Sequence, residues 1–247
     1  MKYKDYSDEI WRQINHSLDL ALREEKNPVA AFDADGTLWD TDLGENFFQH
    51  QIANKLVPLP EQPWNHYLEM KAKHAPTAYL WLAQICKNYS LDTVHSWARE
   101  ALAEFKPLPL FTEQQKVIDL FLKKGVQIYI ITASVKWAVE PGAKALGLTY
   151  DNVIGIETEV EGGNVTDKQK GFISYRQGKV DALLARTGGQ KPFFASGNTM
   201  GDYQLLQSAT RLSLAVSAAA ENHKLFETEK ELAGEADKHG WLRHRFI

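Results

Sequence analysis

Two carboxylates spaced two residues apart, Asp33 and Asp35, are the leading candidates for chemistry in this 247-residue chain. They follow the apolar run 29–32 and precede Gly36, so they lie where a buried strand ends and the backbone turns. Ligands of open α/β sheets bind at this edge, and paired acids there suit nucleophilic and acid–base work. Asp and Gly are also common turn residues, so this motif alone favours a plain surface turn over a functional site.

Three further segments end in polar side chains where the same sheet edge would collect them. The first is Thr132 and Ser134 after an apolar strand, where a hydroxyl and helix N-terminal amides suit a phosphate, although an N-cap fits equally well. Lys179 precedes a helical apolar face and taken singly would be a surface lysine. Asn198 and Asp202 follow the apolar run 192–195 in a glycine-containing turn.

The elements that must position these groups alternate between strands and helices. Short apolar runs without alternation predict strands buried on both faces, and periodic apolar patterns predict helices between them. This order predicts an α/β fold with a Rossmann-like parallel sheet flanked by helices. The predicted strands are 29–32, 126–131, 192–195 and 212–216, and the predicted helices are 7–25, 113–123, 179–186 and 202–208.

One stretch interrupts the alternation. Residues 43–110 contain helical patterns rich in aromatic residues and no convincing strand. Such a stretch is too long for a loop inside a compact domain. We therefore predict a core domain of residues 1–42 and 111–247 and a small helical cap domain of residues 43–110, inserted after the first strand.

Composition limits the partners. Hydrophobic residues make up 44% of the chain, charged residues 24%, and the net charge is −4, which is typical of a globular protein and argues against nucleic acid or an anionic membrane as partner. The one cysteine, Cys86, excludes an internal disulfide, and the first residues lack the apolar stretch of a signal peptide. We expect a cytoplasmic protein that acts on a small molecule.

In this order the four motifs resemble those of the haloacid dehalogenase superfamily of phosphohydrolases. The segment Asp33 to Thr37 matches Asp-x-Asp-Gly-Thr residue for residue, and the resemblance covers about residues 28–216. The position of the insert is similar to the helical cap of the phosphoserine phosphatase branch. Within that branch, Thr37 to Glu45 and the Thr-Ala-Ser segment are similar to phosphocholine-phosphatase-like phosphomonoesterases.

The resemblance implies a Mg²⁺-dependent phosphomonoester hydrolase with an aspartyl-phosphate intermediate. Asp33 would be the nucleophile and Asp35 the general acid and base, while Thr132 would bond the phosphoryl group and Lys179 would neutralise it. A carboxylate attacks phosphorus only when the repulsion between anions is cancelled, which a hard divalent cation achieves.

The fourth motif departs from the family pattern. Asn198 stands where a metal-binding carboxylate is expected, and its neutral amide oxygen would hold the cation less firmly. The alternative is that Asp202 binds the metal directly. The expected metal ligands are therefore Asp33, Asp35, Asn198 and Asp202, and a carboxylate in Asn198→Asp would strengthen the site.

We expect the substrate to be bound by Trp39, Asp42, Glu45 and Ser134, with Trp39, Asp42 and Glu45 in the segment that should cover the leaving group. Carboxylates and aromatic faces suit a cationic group, which makes phosphocholine, phosphoethanolamine and phosphoserine the leading substrates. The alternatives are a phosphotransferase or mutase of the same fold, and a non-catalytic protein that binds a phosphorylated metabolite.

Overall fold

The computed structural model describes residues 3–247, which form nine α-helices and seven β-strands. Among these residues, no helix combines the length and the apolar content that crossing a membrane requires. The helices are α1 (Asp8–Glu24), α2 (Leu43–Ala53), α3 (Pro63–Gln84), α4 (Leu91–Leu102), α5 (Thr112–Lys123), α6 (Lys136–Ala145), α7 (Gln177–Thr187), α8 (Tyr203–Ser208) and α9 (Phe226–His239). The strands are β1 (Val29–Phe32), β2 (Gln127–Val135), β3 (Val153–Glu161), β4 (Asn164–Lys170), β5 (Phe194–Gly197), β6 (Leu212–Ser217) and β7 (Leu242–Arg245).

The chain divides into two compact units. The first comprises the residues as far as Thr41, Pro109–Ile131 and Arg176–Ile247, and the second comprises Asp42–Leu108 and Thr132–Tyr175. Residues 132–175, which the sequence prediction assigned to the core domain, thus pack with the insert. The reason is that α6 packs against α2 and α4, while β3 and β4 pack against α3.

The first unit contains a parallel sheet, as the sequence predicts. Its strands lie in the order β2-β1-β5-β6-β7, and every neighbouring pair is parallel. All four residues of β1 are buried, which explains its unbroken apolar run. Phe32 at the end of β1 pairs with Ser196 near the end of β5, so the loops that follow these two strands start side by side.

Helix α1 shows how local sequence specifies the elements. The Ser7 side chain accepts a hydrogen bond from the backbone N–H of Ile10 and caps the helix. Ile10, Ile14 and Leu18, which are spaced by four residues, form its buried face. The four predicted strands are all present, and β2 continues past its predicted end to Val135.

The C-terminal tail differs from its prediction. The segment after Glu221 is rich in charge, which is typical of a solvated helix, but α9 buries Glu229, Leu232 and Ala236 on one face. These positions are three and four residues apart, so they share one side of the helix. After α9 the chain adds β7 to the sheet, parallel to β6.

The second unit has an aromatic core and a hairpin. The ring of Phe48 lies 6.1 Å from Trp64, 5.7 Å from Tyr67 and 5.5 Å from Trp81, so these aromatic side chains of the insert serve in packing. Strands β3 and β4 pair antiparallel through a turn at residues 162–163, where both glycines have positive φ. A two-glycine turn with this geometry is typical of hairpins.

Glu113 connects α5 to the N-terminal segment. Its buried carboxylate accepts hydrogen bonds from the backbone N–H of Tyr6 at 3.1 Å, from Trp11 Nε1 at 2.8 Å and from Lys116 Nζ at 2.5 Å. Burial raises the pKa of Glu113, but these donors outweigh it, so the pKa lies below its ordinary value of 4.5.

We predict that Glu113→Gln lowers the free energy of unfolding by about 1 to 3 kcal/mol at neutral pH, because charged hydrogen bonds to a buried group are lost. The advantage of the wild type is fully present above pH 4.5 and declines as the pH falls through the lowered pKa of the folded state. Urea unfolding at several pH values measures both effects. The exposed Glu231→Gln is the control, and equal stability of both variants would contradict the prediction.

Candidate active site

The end of β1 and the end of β5 bring two predicted site residues to the same place. The backbone N–H of Asp33 donates to the carbonyl of Ser196 at 2.9 Å, which continues the pairing of the two strands by one step. Asp33 and Asn198 are both buried. The register of this pair therefore determines that the first and fourth motifs meet.

Lys179 lies between two carboxylates. Its Nζ is 2.5 Å from Asp33 Oδ1 and 2.6 Å from Asp202 Oδ1, and each of the three side chains is less than a tenth exposed. Burial lowers the pKa of Lys179, but Asp202 and Asp33 outweigh it and hold the pKa above its ordinary value. Lys179 is therefore charged, and it is the cation that makes burial of the two acids tolerable.

The charge of Asp33 is set by opposing effects. Burial and the nearby Asp202 carboxylate raise the pKa of Asp33 to about 6, against the lowering effect of Lys179 and of the hydrogen bond from Thr37. The carboxylate is thus ionised at neutral pH. An ionised acid that is taken out of water and held by a fixed cation is typical of a prepared nucleophile.

Both oxygens of Asp202 are occupied within its own surroundings. Oδ1 binds Lys179, while Oδ2 accepts from the backbone N–H of Asn198 at 3.2 Å and of Thr199 at 3.0 Å. Asp202 therefore shapes the loop after β5 and holds Lys179. This use of its oxygens favours Asn198 over Asp202 as the residue that contacts a cation.

Thr37 connects Asp33 and Asn198. Its hydroxyl lies 2.9 Å from Asp33 Oδ2 and 3.3 Å from Asn198 Oδ1. Gly36 beside it has a φ of 77°, and a Cβ at this position would lie 2.1 Å from Asn198 Nδ2. Only glycine combines this backbone conformation with such a close approach of the amide.

Trp39 contacts the second carboxylate of the first motif. Its Nε1 donates to Asp35 Oδ1 at 2.8 Å, and the indole is fully buried. The backbone N–H of Gly36 donates to the Trp39 carbonyl at 3.0 Å, which closes the turn between them. In the first unit Trp39 thus orients Asp35. From the sequence, Trp39 is instead expected to contact the leaving group.

The other predicted site residues belong to the second unit. Asp42 caps α2, because its side chain accepts a hydrogen bond from the backbone N–H of Glu45 at 2.8 Å. Ser134 lies close to Gly44, and a Cβ on Gly44 would be 2.4 Å from Ser134 Oγ. The Thr132 hydroxyl accepts from the backbone N–H of Ser134 at 3.0 Å, so its own proton is directed elsewhere.

Glu45 has a cationic partner that the sequence does not indicate. Lys71 Nζ lies 3.0 Å from Glu45 Oε1 and stands 5.3 Å from the ring centroid of Tyr67 and 5.4 Å from that of Tyr79. Burial and the nearby Glu45 and Asp42 raise the pKa of the Tyr67 hydroxyl. An ammonium over aromatic rings beside an acid is therefore already part of this unit.

The donors around Asp33 fit a hard divalent cation. Asp33 Oδ2 and Asn198 Oδ1 both approach the Thr37 hydroxyl, so a carboxylate oxygen and an amide oxygen are directed to one place. Oxygen donors of this kind suit Mg²⁺. Between residues 3 and 247 no three His, Cys, Asp or Glu side chains form a metal-binding group, so a cation here would use the Asn198 amide oxygen beside the Asp33 carboxylate.

Two residues of this arrangement are absent from the sequence prediction. Glu229 accepts a hydrogen bond from Asn198 Nδ2 at 3.1 Å, and Lys71 pairs with Glu45. One signal for Glu229 is present in the sequence, since it occupies the same helical face as Leu232 and Ala236. An acid on an apolar face is a candidate for burial with partners. For Lys71 we find no such signal.

A family model for haloacid dehalogenase-like hydrolases matches residues 30–207. This range begins in β1 and ends in α8, so it includes all four motifs.

One curated protein is similar in sequence, and two solved structures are similar in fold. Phosphorylcholine phosphatase from Pseudomonas aeruginosa is 22% identical over 213 residues, which cover 69% of this chain and 60% of that protein, less than two thirds of its length. A conserved protein of unknown function from Anaerococcus prevotii is 14% identical with a TM-score of 0.73, covering 98% of this chain and 95% of that chain. A substrate-bound phosphoserine phosphatase is 16% identical with a TM-score of 0.53, covering 87% of this chain and 99% of that chain. These two structural similarities show the fold.

We predict that Lys179→Met lowers the free energy of unfolding by about 3 to 5 kcal/mol at neutral pH, because it leaves two buried carboxylates without their cation. Without Lys179 the buried Asp33 carboxyl loses a partner that lowers its pKa and is protonated more readily in acid, so the loss is smaller at about pH 5 than at about pH 7.5. Urea unfolding at both pH values measures this difference. The exposed Lys123→Met should match the wild type at each pH, and a pH-independent loss in Lys179→Met would contradict the assignment.

Proposed function

Because the chain belongs to the haloacid dehalogenase-like hydrolases, we propose that it hydrolyses phosphomonoesters through an aspartyl phosphate on Asp33. The observation that carries the proposal is the buried Asp33 carboxylate, held ionised 2.5 Å from Lys179 at the end of β1. A carboxylate prepared in this way forms a covalent intermediate and so divides a difficult hydrolysis into two easier steps.

In the first step an Asp33 oxygen attacks phosphorus and the bond from phosphorus to the ester oxygen breaks. Asp35 gives its proton to the departing alkoxide. In the second step Asp35 takes a proton from water, the water oxygen attacks the same phosphorus, and the bond to Asp33 breaks to release inorganic phosphate. The hydrogen bond from Trp39 to Asp35 supports this role because it fixes the carboxyl group that must move the proton.

Charge neutralisation completes the proposal. Lys179 counters charge on Asp33 and on the phosphoryl group, and we assign the Thr132 hydroxyl as a donor to the phosphoryl oxygens. When bound, Mg²⁺ would cancel the repulsion between the attacking carboxylate and the phosphate. We assign Asp33, Asp35 and Asn198 as the residues that would hold it, and Asp202 as the residue that positions Lys179.

For the substrate we propose a phosphorylated amino alcohol, with phosphocholine before phosphoethanolamine and phosphoserine. Two observations support this class: the similarity to a phosphorylcholine phosphatase, and the acidic and aromatic cluster of Asp42, Glu45, Tyr67 and Tyr79 in the second unit. The Lys71 ammonium lies over the rings of Tyr67 and Tyr79, which supports the proposal that this cluster suits a cationic group.

Asp33→Asn should abolish phosphate release, because an amide does not attack phosphorus. The measurement is inorganic phosphate released from a panel of phosphomonoesters with and without Mg²⁺, and beryllium fluoride should inhibit the wild type by mimicking the aspartyl phosphate. Asp119→Asn, at an exposed position, is the matched control. Full turnover by Asp33→Asn would refute the mechanism, and transfer of phosphate to an alcohol without its release would indicate a phosphotransferase.

Lys71→Gln should raise the ratio of kcat/KM for phosphocholine to that for glycerol phosphate, because it removes the ammonium that neutralises Glu45 and covers two rings. A cation over an aromatic ring gains about 0.5 to 2 kcal/mol, so we expect a change of roughly threefold or more. The exposed Lys73→Gln on the same helix should leave the ratio unchanged. A wild type that prefers glycerol phosphate, or a ratio that Lys71→Gln does not alter, would reject a cation-selective site.

A further inference from the structure

Glu229 is a buried acid that lies outside all four motifs. Its side chain is only 3% exposed, and it accepts three hydrogen bonds, from the backbone N–H of Ala218 at 3.0 Å, that of Ala219 at 2.9 Å and Asn198 Nδ2 at 3.1 Å. All three partners are donors. Such a set is matched to a carboxylate, which has acceptors only, so the geometry places a negative charge beside Asn198.

This contact determines which end of the Asn198 amide faces Asp33. An amide has a donor end and an acceptor end, and Glu229 takes the donor end. The acceptor end, Oδ1, is consequently directed to Thr37, whose hydroxyl also contacts Asp33. Without Glu229 the amide could present its N–H₂ group to the place where a cation needs an oxygen.

We propose that Glu229 is a positioning residue for the cation site, and that Asn198 and Glu229 together take the place of the aspartate that the family pattern predicts at the position of Asn198. This inference rests on the proposed function, since it assigns a Mg²⁺ ligand of the same site. A hydrogen bond from Nδ2 to a buried carboxylate polarises the amide and makes Oδ1 a stronger donor to a cation. The negative charge that the neutral Asn198 ligand lacks is thus supplied by Glu229, to which Asn198 is hydrogen-bonded.

The contact between Asn198 and Glu229 also changes the Mg²⁺ affinity that we expect for Asn198→Asp. In that variant a carboxylate oxygen would replace Nδ2, which lies 3.1 Å from Glu229 Oε1, so that two like charges would be in contact inside the protein. Gly36 packs against the same end of the side chain and leaves little room for it to turn away. We therefore expect no gain in Mg²⁺ affinity from Asn198→Asp alone, although the sequence by itself predicts one.

A purely structural role is the competing explanation. Through the backbone N–H groups of Ala218 and Ala219, Glu229 also ties α9 to the segment after β6. Loss of that connection would lower stability without changing Mg²⁺ affinity. The test must therefore measure metal binding and stability separately.

The experiment compares four proteins: the wild type, Glu229→Gln, Asn198→Asp and the double variant. Isothermal titration calorimetry gives the Kd for Mg²⁺, and urea unfolding in EDTA gives stability without metal. We expect Glu229→Gln to weaken Mg²⁺ binding by about tenfold, which is the usual scale for partners of metal ligands. Asn198→Asp should bind no more tightly than the wild type, and the double variant should recover wild-type affinity or better. The exposed Glu231→Gln on the same helix is the control.

Three results would overturn the proposal: wild-type Mg²⁺ affinity in a Glu229→Gln protein that is only less stable, tighter binding in Asn198→Asp alone, or a wild type that does not bind Mg²⁺. The Asn198→Asp comparison decides even if Glu229→Gln does not fold. A wild type that binds Mg²⁺ but hydrolyses no phosphomonoester would instead refute the proposed function and leave the comparison of Glu229 variants decisive.

Discussion

The buried ammonium of Lys179 is the interaction on which the site depends. It lies within 2.6 Å of one oxygen of Asp33 and one of Asp202, and each of the three side chains is less than a tenth exposed. Because an isolated buried carboxylate is strongly unfavourable, α7 must deliver this lysine to the ends of β1 and β5. The second oxygen of Asp202 then shapes the loop that carries Asn198.

The remaining charges follow from that constraint. Asp33, Asp202 and Glu229 are buried acids of the first unit, and Lys179 balances only part of their charge. Both oxygens of Asp202 are bonded to Lys179 or to backbone N–H groups. Asp33 Oδ2 and Asn198 Oδ1, in contrast, both approach the Thr37 hydroxyl. A cation bound by Asp33 and Asn198 would thus lie near Glu229, an acid that bonds Asn198 and does not touch the cation.

The second unit uses the same physical chemistry for a different purpose. Glu45 is buried, so it requires a partner, and Lys71 provides one while its ammonium lies over Tyr67 and Tyr79. The Lys71 ammonium is thus an intramolecular cation in an aromatic and acidic setting. It also means that any preference for cationic leaving groups has to compete with Lys71.

Local patterns in the sequence were sufficient for the α/β fold, because apolar runs such as that of β1 and the periodicity of α1 report burial directly. They also located the Asp33 and Asp202 motifs. Other features could not be read locally. Glu229 is 31 residues from Asn198, and their contact depends on how α9 docks against β6. The tertiary structure alone decides which oxygen of each acid meets which donor, because a hydrogen bond depends on strand register and helix docking rather than on the burial that periodicity reports.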